Sequence, residues 1–174
     1  MKVKVEYPHI IRIVYRQEQG DKDYGSCLWA YFDFDLDKWL LNILSDVGNY
    51  SYRWVTEDGS FLKLMASIGK DYLIHKLCRP EEVDLEATKE SVCDWLEDYE
   101  YKNKDYAIEC LFDDLYDGIE KAEAQRIIDD WNDHFDLEID EPWKLVETDF
   151  SAWQKRIVDI FHDYVQPKIR EELL

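Results

Sequence analysis

The chain has 174 residues, of which 46% are apolar, with seven Trp, twelve Tyr and seven Phe. That length fits one domain with a single sizeable core, and the apolar content excludes disorder despite a formal net charge of −19. Cys27, Cys78, Cys93 and Cys110 stand far apart without a CxxC pair, no charged-then-apolar leader opens the sequence, and no apolar run approaches the roughly 18 residues of a membrane span. The expectation is a single domain over 1–174 in a reducing cytoplasm, with free buried thiols and no membrane association.

Residues 1–55 read mainly as strand. In KVKVEY, Val3, Val5 and Tyr7 alternate with charged neighbours, and IIRIVYR continues the pattern with Ile11, Ile13 and Tyr15. Pro8 between them predicts two strand pieces joined at a bend or bulge. QEQGDKDYG is a polar loop with Gly20 and Gly25, after which SCLWAYFDFDLD places Ala30, Phe32, Phe34 and Leu36 on one face and Tyr31, Asp33, Asp35 and Asp37 on the other. KWLLNIL reads as a third strand or equally as a short helix. SDVGNYSYRW turns at Asp46, Val47 and Gly48 into a fourth strand with Tyr50, Tyr52 and Trp54 on one side. An antiparallel meander is the simplest arrangement of four such strands. Aromatics at period two resemble a base-stacking platform, but such platforms lie in positively charged grooves and this half of the chain is about neutral. The three rings are therefore expected to be mostly buried under a helix, with Asn49, Ser51 and Arg53 facing solvent.

From Ser60 onward the period becomes helical, so residues 60–174 are expected to be mainly α. Phe61, Met65, Ile68, Tyr72 and His75 form one stripe, weakened at Gly69. Leu85, Thr88, Val92, Leu96 and Tyr99 mark a second helix after Pro80; Ala107, Cys110, Leu111, Leu115 and Ile119 a third; Ala124, Ile127, Ile128, Trp131 and Phe135 a fourth. Residues 142–150 stay open, because Trp143, Leu145 and Glu147 alternate as an edge strand would. A last helix carries Trp153, Ile157, Ile160, Phe161 and Tyr164 and should bend near Pro167. The fold class is α+β: an antiparallel meander of about four strands covered by a layer of about five helices.

Charge is the most informative feature. Between Glu81 and Glu141, 23 Asp and Glu stand against five bases, giving −18, whereas the remainder holds 17 acids and 16 bases. On the third helix Glu109, Asp113 and Asp117 recur at four-residue spacing, Glu120 continues the row and Asp114 lies beside it. On the fourth, Glu123, Asp130 and Asp133 do much the same opposite Ile127 and Trp131. Like charges at this spacing cost a few tenths of a kcal/mol per pair, and only Lys121 and Arg126 are near enough to relieve them.

Familiar chemical motifs fail. Asp33, Asp35 and Asp37 open like a calcium loop, but Lys38 stands where the loop needs glycine and Leu44 where it needs its closing glutamate. No phosphate loop, dinucleotide fingerprint, nucleophile elbow or HExxH occurs. Asp130 with His134, and Asp159 with His162, have spacings that put two ligands on one helix face, yet acids are so frequent that such pairs arise by chance. Neither a metal nor another cofactor is expected, and Cys93 and Cys110 read as core thiols.

Carboxylates four residues apart rise about 6 Å along a helix, and alternate strand residues about 7 Å, spacings near those of phosphates along a nucleic-acid strand. In size, charge and the segment 81–141 the chain resembles DNA-mimic inhibitors, small acidic proteins that block restriction or CRISPR effectors. SDVGNYSYRW followed by SFLKLMASIGKDYLIHKL is similar to proteins of phages and prophages. This resemblance implies a non-enzymatic inhibitor in the host cytoplasm whose partner is a basic nucleic-acid-binding protein rather than nucleic acid itself. Glu109, Asp113, Asp114, Asp117, Glu120, Asp129, Asp130 and Asp133 would be its contact surface. The same electrostatics fit an immunity protein or antitoxin that neutralises a basic toxin; a metal-dependent hydrolase using aspartates with His134 or His162 is the enzymatic alternative.

Overall fold

The computed structural model describes residues 3–56, 60–98 and 101–174. Contacts divide the chain into two compact units, Met1–Arg79 with Ala152–Leu174, and Pro80–Ser151. The class is α+β, with a four-stranded antiparallel sheet followed by helices.

In the first unit β1 (Ile10–Arg16), β2 (Trp29–Asp35), β3 (Leu40–Ser45) and β4 (Gly48–Arg53) form a meander in chain order. KWLLNIL thus supplies a strand. The register aligns Ile13, Phe32, Ile43 and Tyr50 in one row and Ile11, Phe34, Leu41 and Tyr52 in the next. These rows build the core-facing side, with Phe32, Phe34, Leu41 and Ile43 fully buried. Trp54 follows β4 and is 4% exposed, against Phe61 at 6.1 Å between ring centres and Tyr52 at 4.7 Å. Tyr50 and Tyr52 are only half-buried, because β4 is an edge strand whose outer flank is incompletely covered.

Two readings of the strand half need correction. Residues 3–9 form no strand. Their alternation has nothing to pair with, since β2 ends opposite Ile10, where His9 already accepts from the Leu36 N–H and donates its own N–H to the Asp37 carboxylate (both 2.9 Å). Asp35 is buried rather than solvent-facing: its Oδ1 accepts from the Asp37 and Lys38 N–H groups and so closes the turn into β3. In the next turn Gly48 sits at φ +132°, and a Cβ there would lie 2.6 Å from the Tyr50 hydroxyl, so only glycine fits.

The helices of this unit are α1 (Phe61–Ser67) and α2 (Lys70–Leu77), then, after the second unit, α6 (Ala152–Ile160), a π turn at Phe161–Val165 and α7 (Gln166–Glu172). The stripe expected to run unbroken from Phe61 to His75 is interrupted where Ile68 and Gly69 are extended. Downstream of the break Leu73 and Ile74 are buried, while Tyr72 and His75 are exposed. Buried Gln166 stabilises the break by donating from Nε2 to the carbonyls of Met65 (3.0 Å) and Ile68 (2.8 Å), which α1 leaves unsatisfied at its end. The irregularity expected near Pro167 is the π turn: Pro167 can donate no hydrogen bond and its ring crowds the carbonyl four residues back. That turn drives Phe161 between Phe32 and Phe34, at 6.0 and 6.4 Å.

The second unit holds α3 (Leu85–Asp98), α4 (Lys104–Asp114) and α5 (Lys121–Phe135), a 3-10 turn at Pro142–Leu145, and the two-residue strands β5 (Glu82–Val83) and β6 (Thr148–Asp149). Residues 142–150 are thus mostly not strand. The core joins Val92, Leu96, Leu111, Ile128 and Trp131, whose Nε1 donates to the Ala107 carbonyl at 2.8 Å. Tyr99, expected on the α3 stripe, lies outside the described residues.

Candidate acidic surface and the cleft within it

The entire net charge belongs to one unit. Pro80–Ser151 holds 25 acids and six bases, a formal −19, while the other unit holds 15 of each. Amphipathic helices make this possible, because the apolar stripes of α3, α4 and α5 fill a common core and leave most of their acids to solvent.

Glu109, Asp113 and Asp114 are exposed on α4, and Asp129, Asp130 and Asp133 are exposed on α5. The row expected to continue down one helix does not. α4 ends at Asp114, so Asp117 falls in the following turn and Glu120 is the residue before α5. Two acids in the last turn with no base beside them oppose the helix dipole, Leu115 is extended, and Gly118 at φ +81° turns the chain. Leu115 and Ile119 nonetheless remain buried, as their spacing predicts.

Few bases answer these acids. Among the described residues of this unit, Lys104 pairs with Glu97 (3.0 Å), Arg126 with Asp130 (2.9 Å) and Lys144 with Glu141. Glu109, Asp113, Asp117, Glu120, Asp129 and Asp133 have no ion-pair partner among the described residues.

Where α4 and α5 face each other the surface opens into a cleft of about 550 Å³. Ile127, Trp131 and Phe135 of α5 give it apolar walls, and Asp114, Glu123 and Asp130 surround them with carboxylates. Tyr116 donates to Glu123 Oε2 at 3.0 Å, which holds its phenol above the ordinary pKa. Arg126 is tied to Asp130 one turn away, and the His134 ring packs edge-on against Phe135 at 4.8 Å. Aromatic faces beside carboxylates can take a cationic side chain by charge and cation–π attraction together. Of the cleft's residues, the acidic pattern pointed to Asp114, Glu123 and Asp130. Tyr116, Arg126, Trp131 and Phe135 are brought to it by the pairing of two helices, for which the sequence offered only the core stripe.

The other candidates separate. Cys110 and His134 both line the cleft, but no hydrogen bond joins them among the described residues. His162 Nδ1 lies 3.1 Å from Asp163 rather than Asp159, whose carboxylate accepts from Lys70 at 2.7 Å. No group of three or more His, Cys, Asp or Glu among the described residues is arranged to hold a metal ion. Cys27 and Cys78 are buried thiols, pushed up to about 12 and about 11 chiefly by burial. No helix among the described residues is long and apolar enough to cross a membrane.

No curated protein and no solved structure matches the chain. A family model described as a phage family, Phage_phiTE_072, matches residues 1–171. Since the match extends over nearly the whole sequence, the chain belongs to this phage family.

Proposed function

We propose that this phage protein is a non-enzymatic inhibitor that binds a basic, nucleic-acid-handling defence enzyme of the host by offering carboxylates in place of phosphates. The observation that carries the reading is the confinement of all net charge to Pro80–Ser151, whose exposed acids on α4, the α4–α5 turn and α5 are mostly without cationic partners. A surface left unneutralised at this density is costly to keep, and it complements a cationic channel. Attraction of this kind raises the rate of encounter and weakens with salt.

The test is a salt titration of complex formation with Glu109→Gln, Asp113→Asn and Asp117→Asn combined. The substitutions remove three charges with little change of shape, so the fold should hold while partner affinity falls and its salt dependence flattens. DNA or RNA should compete with the wild-type protein for the partner. Equal binding by variant and wild type at every ionic strength would reduce this row to a solvated face and direct attention to Asp129, Asp130 and Asp133. The cleft supports a second reading, an immunity protein or antitoxin for a basic toxin, because aromatic walls fit one protruding Arg or Lys better than a phosphate channel. In that case Phe135 and Asp130 would matter to binding and competing nucleic acid would not.

A further inference from the structure

β1 is an edge strand. The His9 carbonyl and the Gln17 N–H both bond toward β2, so by the period of two the backbone groups of Arg12 and Val14 point away from the sheet. Two clefts of about 360 and 260 Å³ follow this free edge, bounded on the far side by Tyr164, Val165, Lys168 and Leu173. Immediately before β1, residues 3–8 have a strand's alternation and no partner strand among the described residues, and Val3, Val5 and Tyr7 are 88, 78 and 92% exposed. An unpaired edge and an unpaired strand-patterned segment are the two halves of a ladder. They cannot close within one chain, because His9 is fixed to Leu36 and Asp37 and residues 3–8 run on from β1 without room to reverse.

We propose that two copies of this chain pair through residues 3–15 as antiparallel strands about a two-fold axis at His9, the segment 3–8 of each lying along the β1 edge of the other. Chemistry selects this register. With His9 opposite His9, Tyr7 meets Ile11, Val5 meets Ile13 and Val3 meets Tyr15, all on the helix-covered face, while on the open one Glu6, already paired with Lys4 and Lys38, meets Arg12, already paired with Asp33, so no like charges are opposed. A slip of one residue sends Val3, Val5 and Tyr7 to the wrong face. Centring instead on Pro8 sets Lys4 against Arg12, and centring on Ile10 sets Lys4 against Arg16, like charges that oppose pairing. Pro8 falls opposite Ile10 and removes one ladder donor there. The interface is isologous, with the same patch used twice.

Sedimentation velocity of the full chain over a wide concentration range should show a monomer–dimer equilibrium. Val5→Asp should weaken the dimer at least about tenfold, since the change enters the interface twice, while leaving the thermal midpoint of the monomer unchanged because Val5 is 78% exposed. His9→Cys places two thiols at a non-hydrogen-bonded pair, where Cα atoms lie about 4.5 Å apart and a disulfide can form. Mild oxidation should therefore give a covalent dimer with His9→Cys and not with Val3→Cys, whose two copies sit at opposite ends of the ladder. A monomer at every concentration overturns the proposal. So does a dimer that survives Val5→Asp, or one cross-linked by Val3→Cys in preference to His9→Cys, and so does protection of residues 3–8 from exchange only when a different protein is added.

Discussion

The two units of this chain reach a folded state by different means. Met1–Arg79 with Ala152–Leu174 is electrically balanced, and its polar groups are placed singly to secure geometry: Gln166 on the end of α1, Asp46 on the chain entering β2, Gly48 at a left-handed turn where no side chain fits. Pro80–Ser151 encloses a helical core and leaves its charge largely unanswered, even where local structure argues against it. Acids close the last turn of α4, and Asp136, Glu138 and Glu141 occupy left-handed backbone at φ +51°, +56° and +55°, conformations that suit glycine. Left-handed non-glycine residues also occur in the balanced unit, where Asp23 and Trp39 stand at φ +64° and +53°; what sets Pro80–Ser151 apart is its excess of acids over bases, and this is the physical content of the proposed function.

The strongest test of the contrast is in the aromatic core. Trp54→Ala should lower stability by about 3–5 kcal/mol in denaturant unfolding, the usual loss for a buried large aromatic. Trp54→Phe should cost less than about 1.5 kcal/mol, because the buried Trp54 Nε1 has no hydrogen-bond partner among the described residues and only packing is at stake. A loss below about 1 kcal/mol for Trp54→Ala, accompanied by weaker partner binding, would make this face an interface and remove the distinction between a structural unit and a recognition unit.

Asp46 gives a smaller effect with a pH signature. Its carboxylate accepts from the Leu28 N–H (2.9 Å), the Trp29 N–H (3.4 Å) and the Cys27 thiol (3.3 Å). Burial pushes its pKa up, but these donors together outweigh it, and the group is held below its ordinary value. Asp46→Ala should cost about 0.5–1.5 kcal/mol, the net worth of a hydrogen bond near the surface, because Asp46 and its amide bonds are exposed. Because the folded pKa is depressed, the stabilisation is present in full above the unfolded value near pH 4 and is lost as pH falls through the folded one. The gap between wild type and variant should therefore close in acid. Cys27 behaves oppositely: its thiol, raised by burial and then by Asp46 to about 12, favours the folded state below pH 9 and loses that advantage as pH rises toward 12. Alkylation of Cys27 should consequently require unfolding.

The meander was legible because a period of two leaves little freedom once one face is apolar. A one-residue slip would send Phe32 and Phe34 to the face opposite Leu41 and Ile43, and the four do share one core. The same rule misled at Val3, Val5 and Tyr7, since alternation declares a strand's faces and says nothing of its neighbour. Helical stripes misled for a related reason. Ile68, Leu115 and Ile119 are buried as their spacing demands, but each lies where the chain has left the helix, so burial outlasts the hydrogen-bond ladder. Of the candidate surface, the acids could be read from composition; the cleft could not, because Asp114 and Tyr116 meet Trp131 and Phe135 only through the packing of α4 on α5.

The smallest predicted effect bears directly on why acids occupy left-handed positions. Glu138 is exposed at φ +56°, between buried Leu137 and Ile139, which hold the backbone in place. An L-residue there carries about 1–2 kcal/mol of strain that glycine avoids, but glycine also gains freedom in the unfolded chain worth about 0.4–1 kcal/mol. Glu138→Gly should therefore raise stability by about 0.5 kcal/mol. Charge relief contributes to that gain, so Glu138→Gln is the control: it removes the charge, keeps the strain, and should change stability by no more than a few tenths of a kcal/mol. The expected order is Gly above Gln, and Gln at or slightly above wild type. If Gln accounts for the whole gain, repulsion rather than backbone strain is the cost borne at this position. If Gly destabilises by more than about 1 kcal/mol, Glu138 is held by contacts that stabilise the unit, and its presence argues for local structure instead of a surface kept acidic against it.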